Sequence, residues 1–392
     1  MTRTIRNSLL AGATMGAGLL ALGQINKGKL PEPYQTPSAN NRPQVIQRPE
    51  GAQIKLPPGF RAEVYAEGFR RPRFMLLGPS RELLVSDSMN DGVVWVLEGK
   101  ERRKILEGLD RPYGLAFWKD YLYVAETTSL KRYKYDAKAK SVVGKGEEIV
   151  SMPDFAKGHW TRTVLFDRQG KKMYLTIGSG SNYSTGEDPR RAAINRYNPD
   201  GTGHEIYAGG LRNVIGLRWG PGGDTLWAAT QERDGLGDDL VDDYFTSVKQ
   251  GGFYGWPYAY LGPNEEPRNK GQRPDLVKQT LPPDVLLGSH VAVLDCLFYG
   301  GRQFPKPYLG GAFLALHGSW NRSKRVGYSV VWIPFRDGRP ASGPQDFLTG
   351  FMASPDQSEV WGRPVGLLEM PDGSLLVSDD GGNKIWRISY QG

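Results

Sequence analysis

The chain has 392 residues, of which 39% are hydrophobic and 11% aromatic, enough to build a packed core and to argue against disorder. Its 50 basic and 42 acidic residues leave a net charge of +8, but Lys131-Arg132-Tyr133-Lys134-Tyr135 alternates like an exposed strand face, and no basic run resembles a nucleic-acid footprint. The one cysteine, Cys296, sits in an apolar run; it excludes an intramolecular disulfide, a cysteine-based zinc site and a covalent c-type haem.

At the N-terminus, Arg3 and Arg6 precede an apolar stretch from Leu9 to Leu22, and Ala21-Leu22-Gly23 offers small residues for cleavage. Residues 1–23 are therefore expected to be a signal peptide, with an uncleaved membrane anchor as the alternative. Either places the remaining chain in the periplasm or outside the cell. Residues 24–58, rich in Pro, Asn and Gln, read as a flexible lead-in to a domain spanning 59–392.

From Phe60 onward a unit recurs: a loop, an apolar strand, a Gly/Asp turn and a second strand. The second strands are predicted at Leu83–Asp87, Leu122–Glu126, Met173–Ile177, Leu226–Thr230, Phe313–His317 and Leu375–Asp379. Early spacings of about 40 to 50 residues match propeller blades. Between the fourth and fifth copies, Pro263 to Pro283 reads as an inserted loop. Six units predict an all-β, six-bladed β-propeller, because each blade buries its faces only against its neighbours. Phe60–Tyr65 is the candidate strand that completes the last blade beside Ile385–Ile388.

Loops of a propeller converge on one axial mouth, so candidate functional residues are sought at strand ends. His159, in Gly158-His159-Trp160-Thr161-Arg162, is suited to take a proton near neutral pH, although a lone histidine is more often structural. Arg73, Arg212 and Arg363 each precede a predicted inner strand. That common station suits a multiply anionic ligand, with surface or inter-blade ion pairs as the other explanation. Asn213 follows Arg212. Glu232 to Asp239 is an acidic, Gly-rich loop that can offer hard oxygen ligands or be an ordinary turn. His317-Gly318-Ser319-Trp320-Asn321-Arg322 leaves a strand with a glycine and a flat aromatic face, or is a packed blade corner. Gly178-Ser179-Gly180-Ser181-Asn182 lacks the third glycine and the following helix of a dinucleotide loop.

Taken in order, GHWTRTVLF, GLRNVIGLRW, ERDGLGDDL with GGFYGWPY, ALHGSWNRS, and WGRPVGLL with LLVSDDGG resemble the glucose/sorbosone dehydrogenase family of quinoproteins, and most closely its sorbosone-dehydrogenase-like branch. The resemblance runs from about Gly59 to Tyr390 and implies a six-bladed propeller holding pyrroloquinoline quinone (PQQ) and Ca2+. It implies His159 as the base for a sugar-type alcohol or hydrated aldehyde, with electrons passed to an external acceptor, a cytochrome or a quinone. It implies Arg212, Asn213 and Arg363 as cofactor contacts, with Arg73 added by station. Arg322 and His317 stand near the place of a family lysine. Asp234 and Gly235 fall where the family supplies calcium-binding carbonyls, although soluble glucose dehydrogenases have Gly-Pro there. A metal-dependent lactonase on the same fold, or a propeller binding module, are the competing readings.

Overall fold

The computed structural model describes residues 29–99 and 101–392; the expected signal peptide lies outside the described residues. Six four-stranded antiparallel sheets follow one another along the chain, and each is a blade. Blade 1 runs Pro72–Leu77, Leu83–Asp87, Gly92–Glu98 and Glu101–Leu109, from the axis outwards. Blade 2 begins at Leu115–Trp118, blade 3 at Val164–Phe166, blade 4 at Asn213–Trp219, blade 5 at Val293–Phe298 and blade 6 at Pro364–Glu369. These first strands touch one another in a closed ring, the sixth packing on the first.

The second strands fall where the apolar runs predict them. Met173–Ile177 and Leu375–Asp379 are buried at every position, which is why they read as continuous runs and not as alternation. The outermost strands face solvent, and Ser141–Ser151 is mostly exposed. Six hydrophobic clusters fill the spaces between adjacent blades. One joins Phe313 and Val330 of blade 5 to Val377 and Trp386 of blade 6; another joins Met75 and Val85 of blade 1 to Leu376 and Ile385 of blade 6. Apolar contact therefore continues across the seam where the chain ends meet.

That seam is closed by sequence-distant strands. Phe60–Glu67 pairs antiparallel with Lys384–Tyr390, Ala62 opposite Ile388, so the N-terminal strand completes the C-terminal blade as expected. The insertion lies between the third and fourth strands of blade 4. It holds a short hairpin, Ala259–Tyr260 with Asn264–Glu265, and a one-and-a-half-turn helix, Pro274–Gln279.

The segment expected to be a flexible lead-in is, from residue 29, a strap laid against blades 4 to 6. Tyr34 N–H donates to Leu236 O at 2.8 Å, Asn41 N–H to Trp320 O at 2.8 Å, and Gln44–Val45 pairs in parallel with Glu359–Val360. The buried Arg325 donates to the backbone and side-chain oxygens of Asn41 at 2.7 and 2.6 Å. Its polar composition supplies hydrogen-bonding groups that the propeller loops satisfy, so lack of apolar pattern did not mean lack of order.

Candidate functional site

In every blade the loop entering the first strand and the loop leaving the second strand lie on the same face, because the two strands are antiparallel neighbours. Arg73, His159, Arg212 and Arg363 occupy the entering positions, at or just before strand starts, while Ser179, Glu232, His317 and Asp380 occupy the leaving ones. Aspartates ending second strands fix the entries: Asp87 accepts from Arg71 N–H at 2.5 Å in blade 1, and Asp379 accepts from Arg363 N–H at 2.7 Å in blade 6. The shared LLVSD sequence of these two blades thus repeats one clasp.

Around the axis the polar side chains form two linked groups. In the first, Asp380 is buried between Arg73, whose Nη2 lies 2.5 Å from Oδ2, and His317, whose Nε2 lies 2.8 Å from Oδ1. Arg363 stands beside this pair and donates to the carbonyls of His317 and Gly318, each at 3.2 Å. Arg73 and His317 favour the Asp380 anion strongly enough to hold its carboxyl below the usual range despite burial. Burial and then the Arg363 charge push the His317 imidazole down to about 3.

In the second group, Arg212 donates to Glu232 O at 2.6 Å, to Asn182 Oδ1 at 3.0 Å and to Asp234 Oδ2 at 3.2 Å. Asn321 closes the other side of Asp234, donating to Oδ1 at 2.6 Å. His159 sits next to Arg212. Its Nδ1 lies 2.9 Å from the Ser179 carbonyl oxygen and 3.1 Å from Ser179 Oγ. A carbonyl can only accept, so Nδ1 carries the proton and Nε2 keeps its lone pair. Burial and the Arg212 charge push this imidazole down to about 3, so it is neutral at physiological pH. Gly178 makes the arrangement possible: a Cβ there would stand 2.3 Å from Asn213 Oδ1 and 2.6 Å from His159 Cβ.

The two groups meet twice. Trp160, next to His159, lies under the Arg73 guanidinium with 5.4 Å to its ring centroid. The His317–Asn321 loop reaches Asp380 at one end and Asp234 at the other. The structure therefore brings His159, Arg73, Arg212, Asn213, His317 and Arg363 together at one face. Three guanidinium groups share two carboxylates, Asp380 and Asp234, and buried Arg73 Nε and Asn213 Oδ1 have no hydrogen-bond partner. These groups have spare positive charge and a spare guanidinium donor, Arg73 Nε, as a polyanionic cofactor requires.

The profile described as TrAA12-like matches residues 54–258 and 266–391. The chain belongs to the TrAA12-like family. This TrAA12-like chain is 30% identical over 355 residues to an uncharacterised protein of Borreliella burgdorferi, covering 86% of this chain and 91% of that one. It is 24% identical over 317 residues to a pyrroloquinoline quinone-dependent pyranose dehydrogenase of Coprinopsis cinerea, spanning 65% of this chain and 43% of that enzyme. The PQQ domain of a Coprinopsis cinerea pyranose dehydrogenase superposes with a TM-score of 0.72 at 21% identity, covering 89% of this chain and 99% of the domain. A Trichoderma reesei family AA12 enzyme superposes with a TM-score of 0.73 at 20% identity, over 90% of this chain and 99% of the other. The fold is thus shared along almost the whole propeller.

Three of the sequence-based assignments fare differently in this TrAA12-like chain. Arg322 is turned to the rim, donating to Asp238 O at 2.9 Å and to the Asp239 carboxylate, and it lines a groove of about 590 Å3 with Lys55, Tyr328 and Asp346 instead of facing Arg212. The acidic residues Asp238 and Asp239, read as part of an oxygen-rich loop, capture it. The Asp234 carbonyl accepts from Asn182 Nδ2 at 2.8 Å and from Arg233 Nη2 at 2.6 Å, so its lone pairs are already used. Its carboxylate is held by Arg212 and Asn321. Gly235 takes the left-handed φ of +87° that a turn needs. Among the described residues no three His, Cys, Asp or Glu side chains come together as a metal site. As arranged, the Asp234 carbonyl is not free to ligate calcium.

Asp380, Ser179 and Asn182 take no site role in the sequence reading. Asp380 had a signal: LLVSD of blade 6 is followed by a second aspartate, where blade 1 has Ser88. Ser179 and Asn182 sit in an irregular loop without periodicity, and their roles emerge only from contacts made across blades.

Proposed function

We propose that this mouth binds PQQ and that the protein oxidises a sugar, with His159 as the base. The observation that carries the reading is the fixed tautomer of His159, which aims a neutral Nε2 lone pair from within a ring of arginines. Arg73, Arg212 and Arg363 would hold the cofactor's carboxylates and Asn213 its carbonyl edge. When bound, PQQ supplies a two-electron acceptor for the hydride of a carbinol carbon.

The chain's own residues do the rest. Ser179 fixes the imidazole so that Nε2, not Nδ1, meets the substrate hydroxyl and takes its proton. Arg212 sits beside this base and disfavours its protonation before substrate arrives; an anionic ligand on Arg212 offsets that charge and raises the imidazole's basicity. Asp380 keeps Arg73 and His317 in place and limits the cationic charge of the mouth. Related proteins named as PQQ-dependent pyranose dehydrogenases support a sugar as donor. A sorbosone-like aldehyde is the other donor considered. A separate electron acceptor, and a secreted or periplasmic location, complete the reading. No calcium-assisted step is assigned, because the Asp234 carbonyl is already taken by Asn182 and Arg233.

The test is to add PQQ to purified protein with a dye acceptor and an aldose panel. Wild-type protein should reduce dye with at least one sugar. His159→Ala should bind PQQ as wild type does, by absorbance titration, and lose turnover by about a hundredfold or more. Near-normal turnover in that variant would remove His159 from the base role. A metal-dependent lactonase draws on carboxylates around an axial ion, and the guanidinium-rich mouth does not favour it.

A further inference from the structure

Trp320 is out of keeping with its surroundings. It is the one tryptophan among the exposed large apolar side chains of the described residues, with 41% of its surface open. Yet its loop is held from both sides. On one side, His317 is bonded to Asp380, and the Gly318 carbonyl accepts from Arg363. On the other, Asn321 donates to Asp234. Gly318 takes φ +99° and a Cβ there would stand 2.4 Å from the Tyr328 ring, so the loop's path depends on glycine.

The N-terminal strap adds a third restraint. Asn41 donates from its backbone to Trp320 O at 2.8 Å, and from its side chain to the carbonyls of Arg322 and Ser323 at 3.1 and 2.9 Å. The neighbouring Arg42 places its guanidinium 5.9 Å from the Trp320 ring centroid. An indole held on a fixed backbone with 41% of its surface open presents a flat apolar plane beside the polar groups of the mouth. The C–H face of a pyranose ring is the sugar surface that stacks on an aromatic plane, whereas an open-chain aldehyde has no such face.

Building on the sugar-oxidising reading above, we propose that Trp320 is the stacking platform for the pyranose ring of the substrate, and that Asn41 and Arg42 position it. The strap is then part of the substrate site, which explains why its polar groups meet the 320–325 loop. Trp320 is assigned to the substrate and not to the cofactor, because the mouth arginines meet its loop at other residues: Arg363 at the Gly318 carbonyl, and Arg212 through Asp234 at Asn321.

Sugar binding itself is the test, measured by calorimetry or saturation-transfer NMR with D-glucose and further aldoses on the full chain, with and without PQQ. Trp320→Ala should weaken sugar binding at least tenfold, Trp320→Phe should recover most of it, and Arg42→Ala should fall between wild type and Trp320→Ala. In dye reduction the loss should appear in KM, with kcat within about threefold of wild type. PQQ affinity by absorbance titration should stay within twofold in all three variants. Equal sugar affinity in wild type and Trp320→Ala, or no sugar binding by wild type, would overturn the platform. A parallel loss of PQQ affinity would move Trp320 to the cofactor and also overturn it. Failure of wild type to bind PQQ, with sugar binding still dependent on Trp320, would sink the redox reading and leave the platform standing.

Discussion

Asp380→Asn removes one negative charge from the centre of the mouth while keeping the side chain's size. The wild-type carboxylate is 7% exposed and touches the Arg73 guanidinium, itself 9% exposed, at 2.5 Å. At an effective dielectric near 20, a pair of charges about 4 Å apart is worth about 4 kcal/mol. Arg363 and Arg73 both face this anion, so its loss leaves two guanidiniums close together without a counter-charge. Against this, the asparagine needs less desolvation and can still accept one hydrogen bond. Breaking a buried pair from one side costs about 3 to 5 kcal/mol, and the lower end applies here. Urea unfolding followed by tryptophan fluorescence should then show a midpoint lower by about 1 M, for a slope of about 3 kcal/mol per molar. Saturating PQQ should raise the variant's midpoint by more than the wild type's, because its carboxylates replace the missing charge. A midpoint shift below about 0.3 M, with no larger gain on PQQ addition, would refute the claim that Asp380 balances the arginines.

Stability should also fall as pH drops from about 6.5. His159 and His317 have imidazoles pushed down to about 3 in the fold, so between these values the unfolded chain binds protons that the native chain does not. Each histidine should cost about 2 kcal/mol by pH 5 relative to pH 8, visible in urea midpoints; a double His159→Asn, His317→Gln variant should lose most of that slope. Asn41→Ala should destabilise by about 2 kcal/mol, because it strips a partner from the buried Arg325 as well as two loop carbonyls; thermal melting checks this, and an unchanged Tm would make the strap incidental. Treatment with a strong chelator should leave PQQ affinity within about twofold, since the Asp234 carbonyl is already taken by Asn182 and Arg233; a tenfold loss reversed by calcium would show that the loop rearranges to bind it.

Much of the architecture was readable because propeller blades are local units. Second strands such as Met173–Ile177 are buried on both faces, so they stand out as apolar runs, and turn residues mark their ends. Closure by Phe60–Glu67 was readable because only a blade lacking its outer strand could use it. The entry arginines could be found from their station before an apolar strand. What pairs with each could not: Arg73 meets Asp380 and Arg212 meets Asp234 across blades, and no local pattern encodes such partners. Arg322 misled for the same reason, since Asp238 and Asp239 draw it to the rim. The strap was missed because its contacts reach residues far along the chain, those of Asn41 joining segments 281 to 284 residues apart, and leave no periodic trace.

The central claim is that guanidinium groups at the hub grip a polyanionic quinone. Titrating the purified chain with PQQ, and following the cofactor's absorbance in wild type and in Arg363→Ala, addresses it directly. Saturable one-to-one binding that weakens at least tenfold in the variant is expected, and weakens further as salt rises. No saturable change in wild type, or equal affinity in both proteins, would contradict it.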